Sequence, residues 1–325
     1  MSTVRWGLVG TGDIAERRVA PALVRAERSE LAAVSRRRPE LAEAFARRFG
    51  ARRWHADWRD LVRDDEIDAV YIATPVALHA PIAIAAAEAG KHVLCEKPMA
   101  LDVEECDRMV ASAESAGVKL GLAYYRHLYP IVQRIRQLLA EGAIGRPAMA
   151  QLNAFERFDP PRDHPRAWLL DPAQSGGGPM FDFGCHRIEV LLDLFGDVVE
   201  VGALRGNVLF DRAVEDAAVA TLRFSPGPLA VVAVAHAAAE PQDTLDIFGS
   251  EGSLHVAKLN GSTLRVVRGG TEVIEQHPAA DNTHLPLVQQ FVDSVLGGGR
   301  PVVDGVAGRA VNQVLEAVYH ERERV

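Results

Sequence analysis

A strand that ends in a glycine turn and opens a helix fits few folds, and this chain begins with one. Val4 to Val9 is an apolar run rich in strand formers. Gly10-Thr11-Gly12-Asp13-Ile14-Ala15 follows, and a helix is predicted from Asp13 to about Glu27, with Ala15, Val19 and Leu23 on one face. In such a unit the first glycine permits the turn. The second lets backbone N–H groups approach a pyrophosphate, and the small residue at the third position allows close helix-to-strand packing. The helix N-terminus adds partial positive charge for the phosphates. A glycine pattern alone is weak. Here it stands between a strand and a helix and leads into a second strand, which points to cofactor binding rather than a structural turn.

That second strand, Leu31 to Val34, ends in Ser35-Arg36-Arg37-Arg38. The residue at its end, about 20 past the glycines, selects the cofactor, and a carboxylate there would bind the ribose diol of NAD. None is present. Ser35 and Arg36 suit a 2′-phosphate instead, through a hydroxyl and a planar guanidinium fork. NADP is therefore favoured, with NAD the alternative. The plainer account is a basic, solvated start to the helix Glu40 to Phe49.

Short segments follow: a possible strand over Ala51 to Trp54, a helix over Asp57 to Val62, and a buried strand Ala69 to Ala73 ending in Thr74-Pro75. The helix Ala80 to Ala89 stops at Gly90, a C-terminal signal, with His79 just before it in a capping or packing position. In Lys91-His92-Val93-Leu94-Cys95-Glu96-Lys97-Pro98 a short apolar run, Val93 to Cys95, reads as a buried strand and ends in an acid, a base and a proline. Ligands of open α/β sheets bind beyond the carboxyl ends of strands, so Lys97 would stand over that crevice. The alternative is a solvated Glu96–Lys97 pair ahead of the helix Asp102 to Ala116. A strand at Val118 to Ala123 completes an alternation that predicts a parallel, doubly wound sheet.

The pattern then changes. After a helix at Ile131 to Leu139, the chain reads mostly as strands: Met149 to Phe155, Val198 to Leu204, Ala217 to Phe224, Leu229 to Ala235 and Thr244 to Phe248. Further strands are expected near Ser253 to Val256, Thr263 to Val267 and Glu272 to Glu275. Many alternate apolar with polar residues, as in an antiparallel sheet with one covered face. Helical spacing returns at Leu287 to Leu296 and Val306 to Tyr319. The domains are read as 1–123 and 124–325. Between the first two strands of the second domain, Gly176-Gly177-Gly178 opens a helix bearing Asp182 and His186. Four residues apart, these share a helical face, where an acid can orient an imidazole for proton transfer. Stabilisation of the helix alone is the alternative. Metal binding with Glu189 carries less weight, because no further ligand cluster is apparent.

Net charge is −8 with no long charged tail, which gives no reason to expect a nucleic-acid or anionic-membrane partner. No apolar run approaches the ~18 residues of a membrane span. Cys95, Cys106 and Cys185 form neither a Cys-x-x-Cys pair nor a disulfide framework, and no metal signature links the histidines. A cytoplasmic location, with no metal, is the expectation.

Taken together the segments resemble the glucose–fructose oxidoreductase and inositol dehydrogenase family, Gfo/Idh/MocA. The resemblance rests on Gly10 to Ala15, Ala73-Thr74-Pro75 with His79, Ala89 to Pro98, Tyr124-Tyr125-Arg126, Gly142 to Gly145, Gly176 to His186 and Gly249 to Leu254. It implies an N-terminal Rossmann domain and a C-terminal α/β domain whose large, mostly antiparallel open sheet often mediates dimers or tetramers. It also implies hydride transfer between a nicotinamide cofactor and a hydroxyl or carbonyl carbon of a sugar, cyclitol or similar molecule. Under it, Lys97, Asp182 and His186 are the catalytic group. Gly10, Thr11, Gly12, Asp13, Ile14, Ser35, Arg36, Thr74, Pro75, His79, Glu96 and Lys97 lie at the cofactor. Tyr124, Arg126 and Trp168 lie toward the substrate. Two departures touch the substrate side: Leu169 stands where relatives commonly carry arginine, and Tyr124-Tyr125 where one often carries asparagine. A cofactor-sensing protein without catalysis and a glycosidase using the cofactor transiently are the competing readings.

Overall fold

The computed structural model describes residues 2–320. It divides into two compact units, residues 1–125 with 280–312, and residues 126–279 with 313 onward.

The first unit is built on six strands: β1 (Val4–Val9), β2 (Ser29–Ser35), β3 (Arg53–His55), β4 (Ala69–Ile72), β5 (His92–Cys95) and β6 (Leu120–Leu122). Their order is β3-β2-β1-β4-β5-β6, and every pairing is parallel. Helices α1 (Ala20–Arg25), α2 (Pro39–Phe49), α3 (Trp58–Val62), α4 (His79–Glu88) and α5 (Val103–Ala116) connect them. Parallel crossovers cover both faces of such a sheet, so its strands are apolar runs rather than alternating ones. All four residues of β4 are buried. Asp102, expected as the first residue of a helix, caps α5 instead, accepting a 2.7 Å hydrogen bond from the Glu105 N–H. The helix expected from Asp13 opens with a π turn over Ala15–Val19 before α1.

The second unit holds α6 (Pro130–Ala140), β7 (Pro147–Arg157), α7 (Pro172–Ser175), a π turn over Met180–Gly184, and α8 (Cys185–Phe195). The remaining strands are β8 (Val198–Gly206), β9 (Ala217–Phe224), β10 (Leu229–Ala235), β11 (Ala237–Gly249), β12 (Gly252–Val256), β13 (Thr263–Arg268) and β14 (Thr271–Gln276). The sheet runs β14-β13-β12-β11-β7-β10-β9-β8, with only β7 and β10 parallel. Period-two burial is clear in β9 and β10. One face carries Ala150, Leu152, Ala220, Leu222, Val232 and Ile247 into the core. The other is solvated and includes Met149, Leu204, Val219, Leu229 and Phe248.

The chain then returns. A single boundary near residue 123 assigns everything downstream to one domain, whereas residues 280–312 pack within the first unit. Helix α9 (Leu285–Gly297) brings Phe291 against Trp6, ring centroids 5.4 Å apart. Gly121 is needed there, since a Cβ would lie 2.9 Å from the Phe291 ring. The Leu122 N–H bonds to the Val303 carbonyl, so the returning chain covers the β6 edge before α10 (Gly305–His320) begins. Among the described residues, no helix is long and apolar enough to cross a membrane. The three cysteines are buried and form no disulfide.

Candidate active site

In the first sheet the strand order reverses between β1 and β4, the position at which open α/β sheets bind ligands. Gly10 ends β1 with φ +92°, and its N–H bonds to the Ser35 carbonyl. A Cβ on it would lie 2.4 Å from the Ala73 carbonyl oxygen, so the fold itself demands this glycine. Gly12 differs. A Cβ there would meet nothing within 4 Å, so packing does not demand this glycine and the backbone stands open. Asp13 and Ile14 are exposed beside it at the start of the helix. This is the open backbone that a pyrophosphate needs.

Arg36 reaches back over that turn. Its Nη1 donates to the Thr11 carbonyl (3.0 Å) and to Thr11 Oγ1 (3.3 Å). The guanidinium is therefore held beside the glycine loop, unlike Arg37 and Arg38, which are exposed. Ser35 is buried at the end of β2. Across the crevice, Thr74-Pro75 leaves β4. His79 fastens this turn, with Nδ1 2.9 Å from the Pro98 carbonyl and Nε2 3.0 Å from the Thr74 carbonyl. Burial lowers its pKa, while those two carbonyls pull the other way. His79 thus lies between the two loops, its neutral ring donating its one N–H to one of these carbonyls.

Glu96 and Lys97 leave β5 in the same row, before a cis peptide to Pro98. Glu96 is buried, and its Oε1 accepts from Tyr71 Oη (2.9 Å) and faces His284 Nε2 at 3.2 Å. Burial alone would raise its pKa. The His284 hydrogen bond, the nearby Lys97 charge and the Tyr71 hydroxyl outweigh that, and the net shift is downward. Lys97 thus follows a carboxylate held in its charged form. His284 is delivered by a braced turn. Its N–H bonds to Asn282 Oδ1 (2.9 Å), Asn282 Nδ2 donates to the Arg18 carbonyl (2.8 Å), and the imidazole lies on Tyr125. Sequence reasoning missed His284. An Asx-type turn at Asn282-x-His284 was the available signal.

In the second unit, Asp182 lies in the π turn and His186, buried, in the first turn of α8. A π turn bonds i to i+5, so the α-helical spacing used to pair these residues does not describe this segment. The three preceding glycines have a local cause. A Cβ on Gly176 would lie 2.4 Å from the Phe181 ring, on Gly177 2.2 Å from Tyr319 Oη, and on Gly178 2.2 Å from the Glu215 carbonyl oxygen. Glu215 Oε2 accepts from the Gly178 N–H (2.9 Å), and its Oε1 accepts from Tyr319 Oη (2.5 Å). The glycines admit the protein's own side chains, and Glu215, which carried no sequence signal, anchors the turn.

Asp182 Oδ2 lies 3.5 Å from Arg166 Nη2 and 3.7 Å from His236 Nε2. Glu189, weighed as a metal ligand, instead pairs with His127 Nδ1 at 2.8 Å. Of the substrate-side candidates, Tyr124 and Arg126 are buried and Trp168 is half-buried. Leu169, at the family's arginine position, is a core residue.

Residues 4–124 match the family model described as oxidoreductase family, NAD-binding Rossmann fold, and residues 132–255 match the GFO/IDH/MocA C-terminal domain. The chain belongs to the Gfo/Idh/MocA family. It is 32% identical over 312 residues to 1,5-anhydro-D-fructose reductase of Ensifer adhaerens, covering 94% of this chain and 92% of that one. It is 30% identical over 327 residues to D-xylose 1-dehydrogenase [NADP(+)] of Haloarcula marismortui, covering 97% and 86%. A levoglucosan dehydrogenase solved with NADH and levoglucosan superposes with a TM-score of 0.90 at 26% identity, over 98% of this chain and 97% of that one. This Gfo/Idh/MocA member is accordingly an NAD(P)-dependent oxidoreductase with a Rossmann domain at its N-terminus.

Proposed function

We propose that this enzyme uses NADP to oxidise or reduce a hydroxyl or carbonyl carbon of a sugar, cyclitol or similar polyhydroxy compound. The observation that carries the reading is Lys97, set at the end of β5 directly after the buried, ionised Glu96. Gly10, Thr11, Gly12, Asp13 and Ile14 would hold the pyrophosphate. Ser35 and Arg36 would hold the 2′-phosphate, and Thr74, Pro75 and Glu96 would border the nicotinamide. When bound, the nicotinamide supplies or accepts the hydride. Lys97 donates a hydrogen bond to the reacting oxygen and holds its developing negative charge. Asp182 and His186 are the further groups proposed to handle that oxygen's proton. The names of the relatives support a small polyhydroxy substrate, and one of them names NADP.

Lys97→Ala should lower kcat by roughly 10²- to 10⁴-fold while cofactor affinity stays within a few-fold. Turnover is read by cofactor absorbance and binding by fluorescence titration, and full activity in this variant rejects the assignment. The cofactor choice is tested separately. The wild type should bind NADPH more tightly than NADH, and Arg36→Asp should reverse that order. Equal affinities in the wild type contradict the NADP reading.

A further inference from the structure

We infer that Glu156, Asp182 and His236 form a binding subsite for a vicinal diol. This rests on the reading that the substrate is a polyhydroxy compound, and it adds two residues, Glu156 and His236, that no motif marks.

His236 follows β10 and is 0% exposed. Its N–H bonds to the Asp216 carbonyl (2.8 Å), and its carbonyl accepts from the Phe158 N–H (2.9 Å). The ring lies between Phe158 and Phe183, at centroid distances of 5.0 and 5.1 Å. Its Nδ1 lies 3.0 Å from Arg212 Nη2. A guanidinium can only donate, so Nδ1 presents its lone pair and the ring hydrogen sits on Nε2. That buried Nε2 has no hydrogen-bond partner. It faces two carboxylates, Asp182 Oδ2 at 3.7 Å and Glu156 Oε1 at 3.9 Å. A rigid ring thus directs one N–H between two acids, neither close enough to accept it well.

The three atoms lie within 4.8 Å of one another. A hydroxyl oxygen set between Nε2 and either carboxylate lies at about 2.8 Å from both, a hydrogen-bond distance. A divalent cation would require an Nε2 lone pair, which the Arg212 contact assigns to Nδ1. The donor set suits hydroxyls. One hydroxyl accepts from Nε2–H and gives its single hydrogen to one carboxylate. The second carboxylate then takes the hydrogen of the adjacent hydroxyl. Arg166, stacked over Phe158 and 3.5 Å from Asp182, supports that carboxylate's charge.

The test uses the full-length enzyme with NADP and NAD, a panel of myo-inositol, D-glucose and D-xylose, and their monodeoxy analogues. For a panel compound that is turned over, loss of one hydroxyl of the bound pair should lower kcat/KM by on the order of 100-fold. In His236→Phe and in Glu156→Gln that ratio should fall toward one, because both compounds then lack the same contact. A purely structural role would weaken both compounds alike and leave the ratio unchanged, which overturns the subsite. Glu156 is partly exposed, so Glu156→Gln keeps the test available if His236→Phe does not fold. Saturation-transfer NMR with the same polyols needs no turnover. Binding to the wild type and not to the variants upholds the subsite even where no panel compound reacts, an outcome that counts only against the functional reading. No polyol binding, or Mn²⁺ binding that Glu156→Gln abolishes, overturns it.

Discussion

At the scale of single residues, Glu96 and His284 show how a charge next to Lys97 is controlled. Two buried donors, Tyr71 and His284, converge on one Glu96 oxygen and lower the pKa of an acid that burial alone would raise. The ionised form, and whatever depends on it, is present above the usual carboxylate range and is lost as pH falls through the lowered value. Removing His284 leaves burial less opposed, so the Glu96 pKa should rise. In His284→Leu the acid limb of the kcat/KM profile should therefore move to higher pH, whereas His284→Gln, which keeps a donor, should hold it near the wild-type position. An unmoved acid limb in His284→Leu would show that Glu96 does not carry the dependence. Lys97 and Glu96 were legible in the sequence because a strand, an acid, a base and a proline are adjacent in the chain. His284 was not, because it lies far from Glu96 in sequence and only tertiary packing brings the two together.

At the scale of elements, most strands and helices follow their predicted spans to within a few residues, since each is set by a local hydrophobic period. Strand β11 runs from Ala237 to Gly249, well beyond the Thr244 to Phe248 expected. The kind of helix does not follow. The turn bearing Asp182 is π, and what fixes it is non-local: Glu215 receives the Gly178 N–H, and Tyr319 closes over Gly177. Gly178→Ala should therefore destabilise the protein by about 1–3 kcal/mol through overpacking against the Glu215 backbone. Urea unfolding checks the magnitude. A stability equal to wild type would mean that the turn relaxes freely around the added methyl. The three glycines admit groups of the protein itself, the Phe181 ring, Tyr319 Oη and the Glu215 carbonyl.

At the scale of the whole molecule, both sheets were legible as classes, one from continuous apolar runs and the other from alternation. The solvated face of the second sheet supports a further proposal, association into a homodimer or homotetramer through that face. Leu204, 76% exposed, stands beside Val219, and Met149 stands between Leu229 and Phe248. Isolated apolar residues on a surface are ordinary, but neighbours on adjacent strands form a patch. The wild type should run as an oligomer by light scattering, and Leu204→Glu with Val219→Glu should reduce it to monomers. A monomeric wild type refutes the proposal.

The returning segment 280–312 also has a consequence for synthesis. Translation proceeds from the N-terminus, and domains generally fold as they emerge. When β6 has left the ribosome, the first sheet still lacks Phe291 over Trp6 and the strip at Val303 along its edge. All of residues 126–279 must follow before those parts arrive. The nascent Rossmann unit therefore waits with an open flank, and Glu96 gains its His284 partner only once nearly the whole chain has been made.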